Sequence, residues 1–158
     1  MQRRRLLQHG AAGLSLAALA GSGLLPRLLG AAEAPAGWPG EAFHAEQLDR
    51  VEALLFGSGA AQDSDAVLIT TPDIAENGRV VPVEVAIELP RPRTLALLSD
   101  ANPFPLLALT HFTPAVAPRV SIRVKLAESA RLIALVEADG GLYRASRAVK
   151  VTAGGCGG

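Results

Sequence analysis

The sequence predicts an all-β sandwich of about seven short strands, preceded by one N-terminal helix. Two observations lead there. From Ala66 onward, apolar and polar residues alternate in short runs, the period of a strand with one face in a core. Between those runs stand Pro, Gly and Asn-Gly, which end strands and turn the chain.

Each element can be read in order. Phe43, Gln47, Val51, Leu54 and Leu55 recur at three- and four-residue spacing, so residues 41–56 are expected as one amphipathic helix stopped by Gly57. Val67–Thr70 is a short strand. Asn77-Gly78 marks a tight turn. After it Val81, Val83, Val85 and Ile87 alternate with Pro82, Glu84, Ala86 and Glu88, and Pro90 and Pro92 close the strand. Residues 94–98 and 104–112 come next, with Pro103 and Pro105 confining the start of the latter to an edge or a bend. Val120, Ile122, Val124 and Leu126 alternate with Ser121, Arg123 and Lys125. Residues 132–138 and 143–151 complete the set, with Asp139-Gly140-Gly141 as a hairpin turn between them. This pattern is immunoglobulin-like, with no internal repeat and no second domain. Aromatics make up only 4% of the chain, so the core must be built from Val, Leu, Ile and Ala.

Three segments are expected: a leader over 1–34, a helix-plus-sandwich domain over 35–151 and a glycine-rich arm over 152–158. The leader opens with Arg3-Arg4, then Arg5, Leu6 and Leu7, the twin-arginine export pattern. A weakly apolar Ala/Gly/Leu run over 11–25 follows, too short and glycine-rich to anchor in a membrane. Ala32-Glu33-Ala34 fits a cleavage site, although Pro35 is a poor neighbour and cutting after Ala32 or Ala36 also fits. Periplasmic delivery of a folded chain is the expectation. The full chain has 15 basic and 15 acidic residues; without the leader, 11 basic and 14 acidic remain, a net charge of −3. That balance argues against nucleic acid or an anionic membrane as the partner.

The chain has one cysteine, which excludes an internal disulfide and a cysteine-rich metal site. It lies in Gly154-Gly155-Cys156-Gly157-Gly158. Glycine offers no side chain to pack and loses the most entropy on ordering, so a thin, mobile arm is expected. From Val151 to Cys156 such an arm reaches roughly 17 Å when extended. A solvated thiol titrates near pH ~8.5, which leaves a few per cent as thiolate at neutral pH. That is reactive enough for a covalent carrier whose partners supply the catalysis. The competing reading is an exported binding or structural module whose tail thiol only forms an intermolecular disulfide. Prenylation is excluded, since Cys156 is third from the end rather than fourth.

These residues resemble the SoxY family, the sulfur-carrying subunits of the periplasmic thiosulfate-oxidising Sox system. The resemblance rests on the twin-arginine leader and on Pro72-Asp73-Ile74-Ala75-Glu76-Asn77-Gly78 followed by Val80-Val81-Pro82-Val83. It rests further on Asn102-Pro103-Phe104-Pro105 and on Val149-Lys150-Val151-Thr152 leading into the terminal pentapeptide. It implies an immunoglobulin-like fold and a heterodimer with a second β-sandwich subunit, SoxZ. It implies Cys156 as the covalent sulfur attachment site, with Gly154, Gly155, Gly157 and Gly158 as the flexible arm. It also implies transient partners: a SoxAX-like c-type cytochrome, a manganese-dependent SoxB-like hydrolase and, where present, a sulfane dehydrogenase. No cofactor of its own is expected beyond the sulfur on Cys156, and no catalysis.

Other constellations carry less. His44 and His111 stand apart, without metal-ligand spacing. A catalytic pair of Cys156 with His111 needs fixed geometry that a mobile tail does not offer. Asp73, Glu76 and Asn77 do not match a calcium loop and read as a turn with solvated charges. Arg91, Arg93, Arg119 and Arg123 read as solvated strand edges.

Overall fold

The computed structural model describes residues 37–152. The expected leader (1–34) and glycine arm lie outside the described residues, apart from Thr152 at the arm's start. The described chain begins with two short helices, α1 (Gly40–His44) and α2 (Leu48–Phe56). This corrects the single helix expected over 41–56. Ala45 and Gln47 are extended, at φ −70°, ψ 133° and φ −115°, ψ 134°. The cause is a conflict of faces. Ala42 and Val51 are both buried, at 1% and 0% exposure. Nine residues apart on one straight helix, they would point about 180° away from each other. The break lets both face the same sheet. Gly57 ends α2, its N–H reaching the Ala53 carbonyl at 3.0 Å.

Among the described residues, nine strands follow: β1 (Gln62–Asp63), β2 (Val67–Thr70), β3 (Ile74–Ala75), β4 (Val81–Ile87), β5 (Thr94–Ser99), β6 (Leu106–His111), β7 (Arg119–Val124), β8 (Ala130–Ala138) and β9 (Gly141–Val151). Seven correspond to the expected strands. The two-residue strands β1 and β3 were not expected, and both run parallel to β9. One sheet has the order β1-β9-β8-β5-β6, with β3 also pairing β9; the other has the order β2-β4-β7. The β8–β9 hairpin turns on Asp139-Gly140, with Ala138 opposite Gly141 and Gly140 at φ 96°.

The large sheet is covered on both faces. One face, with Leu95, Leu97, Leu132, Ala134 and Val136, packs against Val81, Val83, Val85 and Ile69 of the small sheet. The other face, with Ala96, Leu98, Ile133 and Leu135, packs against Ala42 and Val51 of the helices. Hence residues 95–98 and 132–136 are continuously apolar, whereas β4 alternates. The layers are helices, large sheet and small sheet, an immunoglobulin-like sandwich with a helical cover.

Candidate functional site

The candidate site is the end of the sandwich from which the chain runs on toward Cys156. Cys156 and Gly154, Gly155, Gly157 and Gly158 lie outside the described residues. The root of the segment is fully described. At its end β9 is held from both sides. Toward β8, the Val151 N–H donates to Ser129 Oγ at 3.0 Å, and Ser129 Oγ–H donates to the Val151 carbonyl at 3.3 Å. Toward β3, the Lys150 N–H donates to the Asp73 carbonyl at 2.9 Å and the Thr152 N–H to the Ala75 carbonyl at 3.0 Å. The Ser129 hydroxyl on one edge and backbone pairing with residues 73–75 on the other fix the direction in which residue 152 leaves.

Three loops converge on that root. The hairpin and sheet registers put the end of β9, the start of β8, the end of β7 and the start of β4 at one end of the sandwich. The end of β5 and the start of β6 are there too. Residues 71–80 run beside β9 through β3. Their Gly78 carbonyl accepts the Leu126 N–H at 2.7 Å. Residues 125–129 are in turn held by Asn102, whose Nδ2 donates to the Lys125 carbonyl at 2.8 Å and whose Oδ1 accepts the Ala127 N–H at 3.0 Å. The segments 72–78, 102–105 and 149–152, far apart in sequence, therefore meet around the root. Sequence reasoning read them as separate turns, a bend and a strand end, and as family markers, without placing them beside one another.

The remaining candidates fall elsewhere. His111 accepts or donates at 3.3 Å to Thr94 Oγ1, at the end of β6 opposite the root. His44 Nδ1 contacts the Gly40 carbonyl at 2.8 Å and closes α1. Asn77 Oδ1 accepts the Arg79 N–H at 2.9 Å, as expected for a turn. Asp73, however, is ion-paired with Arg147 at 2.7 Å. Three of the four arginines read as solvated edges have acidic partners within the chain: Arg91 with Asp139, Arg93 with Glu137 at 3.1 Å and Arg119 with Glu84 at 3.0 Å. Among the described residues, no group of three or more His, Cys, Asp or Glu could hold a metal ion. None of the described helices is long and apolar enough to cross a membrane.

Fold and site together define an immunoglobulin-like β-sandwich protein whose last strand is a fixed base for the chain end beyond it. The family model described as sulfur oxidation protein SoxY matches residues 52–156. Among solved structures, the sulfur carrier protein SoxY from Chlorobium limicola f thiosulfatophilum is 43% identical, with 66% of this chain and 96% of that chain covered and a TM-score of 0.61. The superoxide reductase (neelaredoxin) from Ignicoccus hospitalis is 22% identical, over 58% of this chain and 95% of that one, with a TM-score of 0.52; this likeness is one of fold alone. No curated protein matches. The chain belongs to the SoxY family of sulfur oxidation proteins.

Proposed function

We propose that this protein is a covalent sulfur carrier of thiosulfate oxidation, with the sulfur of Cys156 as the attachment atom. The observation that carries the reading is the extent of the family match, which runs to residue 156 and so takes in the only cysteine of the chain. A fixed root and a segment rich in glycine suit delivery of one atom into other proteins' active sites.

The chemistry balances as follows. The Cys156 thiol and thiosulfate form an S–S bond, giving a cysteine S-thiosulfonate, one proton and two electrons. A c-type cytochrome partner of the SoxAX kind takes the electrons. A SoxB-like hydrolase with manganese then cleaves the S–SO3 bond with water, releasing sulfate and a proton and leaving a persulfide on Cys156. A sulfane dehydrogenase, where present, oxidises the outer sulfur. The chain is the substrate-bearing subunit throughout and contributes no catalysis and no cofactor of its own. It works as a heterodimer with a SoxZ-like β-sandwich subunit, in the periplasm, after export by the twin-arginine route and loss of residues 1–34.

Intact-mass spectrometry of the mature heterodimer, incubated with thiosulfate and the oxidising cytochrome, tests this. The expected result is a sulfur-containing adduct on the wild type and none on Cys156→Ser. An adduct that persists in Cys156→Ser rejects the reading. Loss of only a reducible homodimer in that variant, with thiosulfate-dependent growth intact, favours the disulfide module.

A further inference from the structure

We infer that Asn77-Gly78, in the turn between β3 and β4, is a site of spontaneous modification: the Gly78 backbone nitrogen closes on the Asn77 side-chain amide, and the asparagine becomes aspartate or isoaspartate. The inference stands apart from the carrier reading and holds whether or not Cys156 bears sulfur.

The chemistry needs a free nucleophile, an electrophile beside it and a donor for the charge that develops. Gly78 supplies the nucleophile: it has no side chain to hinder approach, and its N–H makes no hydrogen bond among the described residues. Asn77 is exposed, so its amide is open to water. Its Oδ1 already accepts the Arg79 N–H at 2.9 Å. On attack at Cγ this oxygen takes the negative charge, and its donor is in place. The Asn77 carbonyl accepts the Val80 N–H at 3.3 Å, which holds the turn while the ring closes. The step balances. Gly78 N gives its proton to hydroxide and bonds to Cγ, the Cγ–Nδ2 bond breaks, and ammonia leaves with a proton from water. Water then opens the succinimide ring at either carbonyl. One water enters, one ammonia leaves, and nothing is oxidised or reduced.

Comparable positions in the chain are protected. The other asparagine, Asn102, precedes Pro103, whose nitrogen has no proton to lose, and its amide is held by Lys125 and Ala127. Asp139-Gly140 has the same spacing, but its carboxylate is ion-paired with Arg91 and resists attack. The two products at Asn77 differ in consequence. Opening the ring at the side-chain carbonyl gives aspartate, which still offers an oxygen to the Arg79 N–H. Opening it at the backbone carbonyl gives isoaspartate. The main chain then runs through Cβ and Cγ, one carbon longer, and the carbonyl that accepts the Val80 N–H leaves it. Gly78 has little room for that shift. Its own carbonyl accepts the Leu126 N–H at 2.7 Å, and a Cβ on it would lie 2.5 Å from the Leu126 carbonyl oxygen. Isoaspartate therefore pulls the turn away from Leu126.

The test incubates the full mature chain in mildly alkaline and, in parallel, mildly acidic buffer. Ion exchange then separates the charge forms, and mass spectrometry of tryptic peptides locates the change. A form with an added negative charge should accumulate over days, at a rate that rises in proportion to hydroxide. The change should map to the peptide ending at Arg79. It should be absent from Asn77→Ser, whose hydroxyl keeps the hydrogen bond to the Arg79 N–H. If that variant does not fold, Asn77→Asp takes its place, since it has no amide to lose. The isolated isoaspartyl form should melt about 4 °C below fresh protein, the loss of one backbone hydrogen bond, while Asn77→Asp melts with the wild type. Failure of the acidic form to appear, or its equal appearance in either variant, overturns the modification site. An isoaspartyl form that melts with the wild type overturns its effect on the Leu126 contact.

Discussion

Gly78 and Leu126 meet backbone to backbone. The Gly78 carbonyl accepts the Leu126 N–H at 2.7 Å, and a Cβ on Gly78 would lie 2.5 Å from the Leu126 carbonyl oxygen. The same Cβ would lie 3.0 Å from Cγ1 of Val151, the last residue of β9. One missing side chain thus lets the loop over 71–80, the loop over 125–129 and the base of the C-terminal segment close on each other.

Gly78→Ala should therefore destabilise the sandwich. The obstacle on one side is backbone, which cannot swing away, so the cost should be about 1–3 kcal/mol. Thermal unfolding of the mature domain measures it. Hydrogen exchange at the Leu126 and Thr152 amides should accelerate in the variant, because the strain falls at the root. An unchanged melting temperature would mean that the loops separate without penalty.

Asn102 joins the neighbouring pair of loops through its side-chain amide alone. Asn102→Asp replaces the donor to the Lys125 carbonyl with an oxygen and puts two acceptors face to face. Asn102→Ala removes the acceptor for the Ala127 N–H as well. Each change should cost roughly 1–3 kcal/mol. Denaturant unfolding with an unchanged m-value would place the loss in the folded state.

The ion pairs should divide by burial. Arg144 Nη2 donates to both carboxylate oxygens of Glu52, at 2.9 and 3.1 Å, and so ties α2 to β9. The Glu52 side chain is only 20% exposed, and Arg144 Nε is buried with no hydrogen-bond partner among the described residues. Glu52→Ala would leave the guanidinium less satisfied still and should cost about 1–2 kcal/mol. Arg147 pairs with Asp73, whose side chain is 80% exposed. Arg147→Ala should cost under about 0.5 kcal/mol and less again in salt. Chemical denaturation of the two variants side by side checks the ranking.

The sequence exposed most of the sandwich because most of its strands have one clear job. β4 alternates as a strand with one buried face should, and Val81, Val83, Val85 and Ile87 are all buried. What escaped was set by contacts distant in sequence. Two-residue strands such as Gln62–Asp63 and Ile74–Ala75 have no period to detect; they exist because β9 offers them a free edge. The break at residues 45–47 lies in Ala-Glu-Gln, all good helix formers, and arises from the need to bury Ala42 and Val51 on one sheet. For the site, the cysteine and its glycines were legible as a motif. The walls around its root were not, because residues 72–78, 102–105 and 125–127 are brought together by backbone, Asn102 and core contacts made on folding.

The glycines flanking Cys156 give the last prediction. If the thiol must pass through an opening in each partner, side chains beside it should obstruct passage without altering the thiol. Gly155→Val and Gly157→Val together place branched side chains on both sides of Cys156. They also narrow the backbone conformations that glycine allows. The catalytic efficiency of the sulfate-releasing hydrolase on the loaded double variant should fall at least about tenfold. Alkylation by a small reagent in free solution should proceed within about twofold of the wild-type rate, since the thiol keeps its solvent environment. The sandwich melting temperature should not move, because both residues lie beyond β9. A double variant processed as fast as the wild type would mean that the partners meet Cys156 at an open surface, with no need for a slender tether.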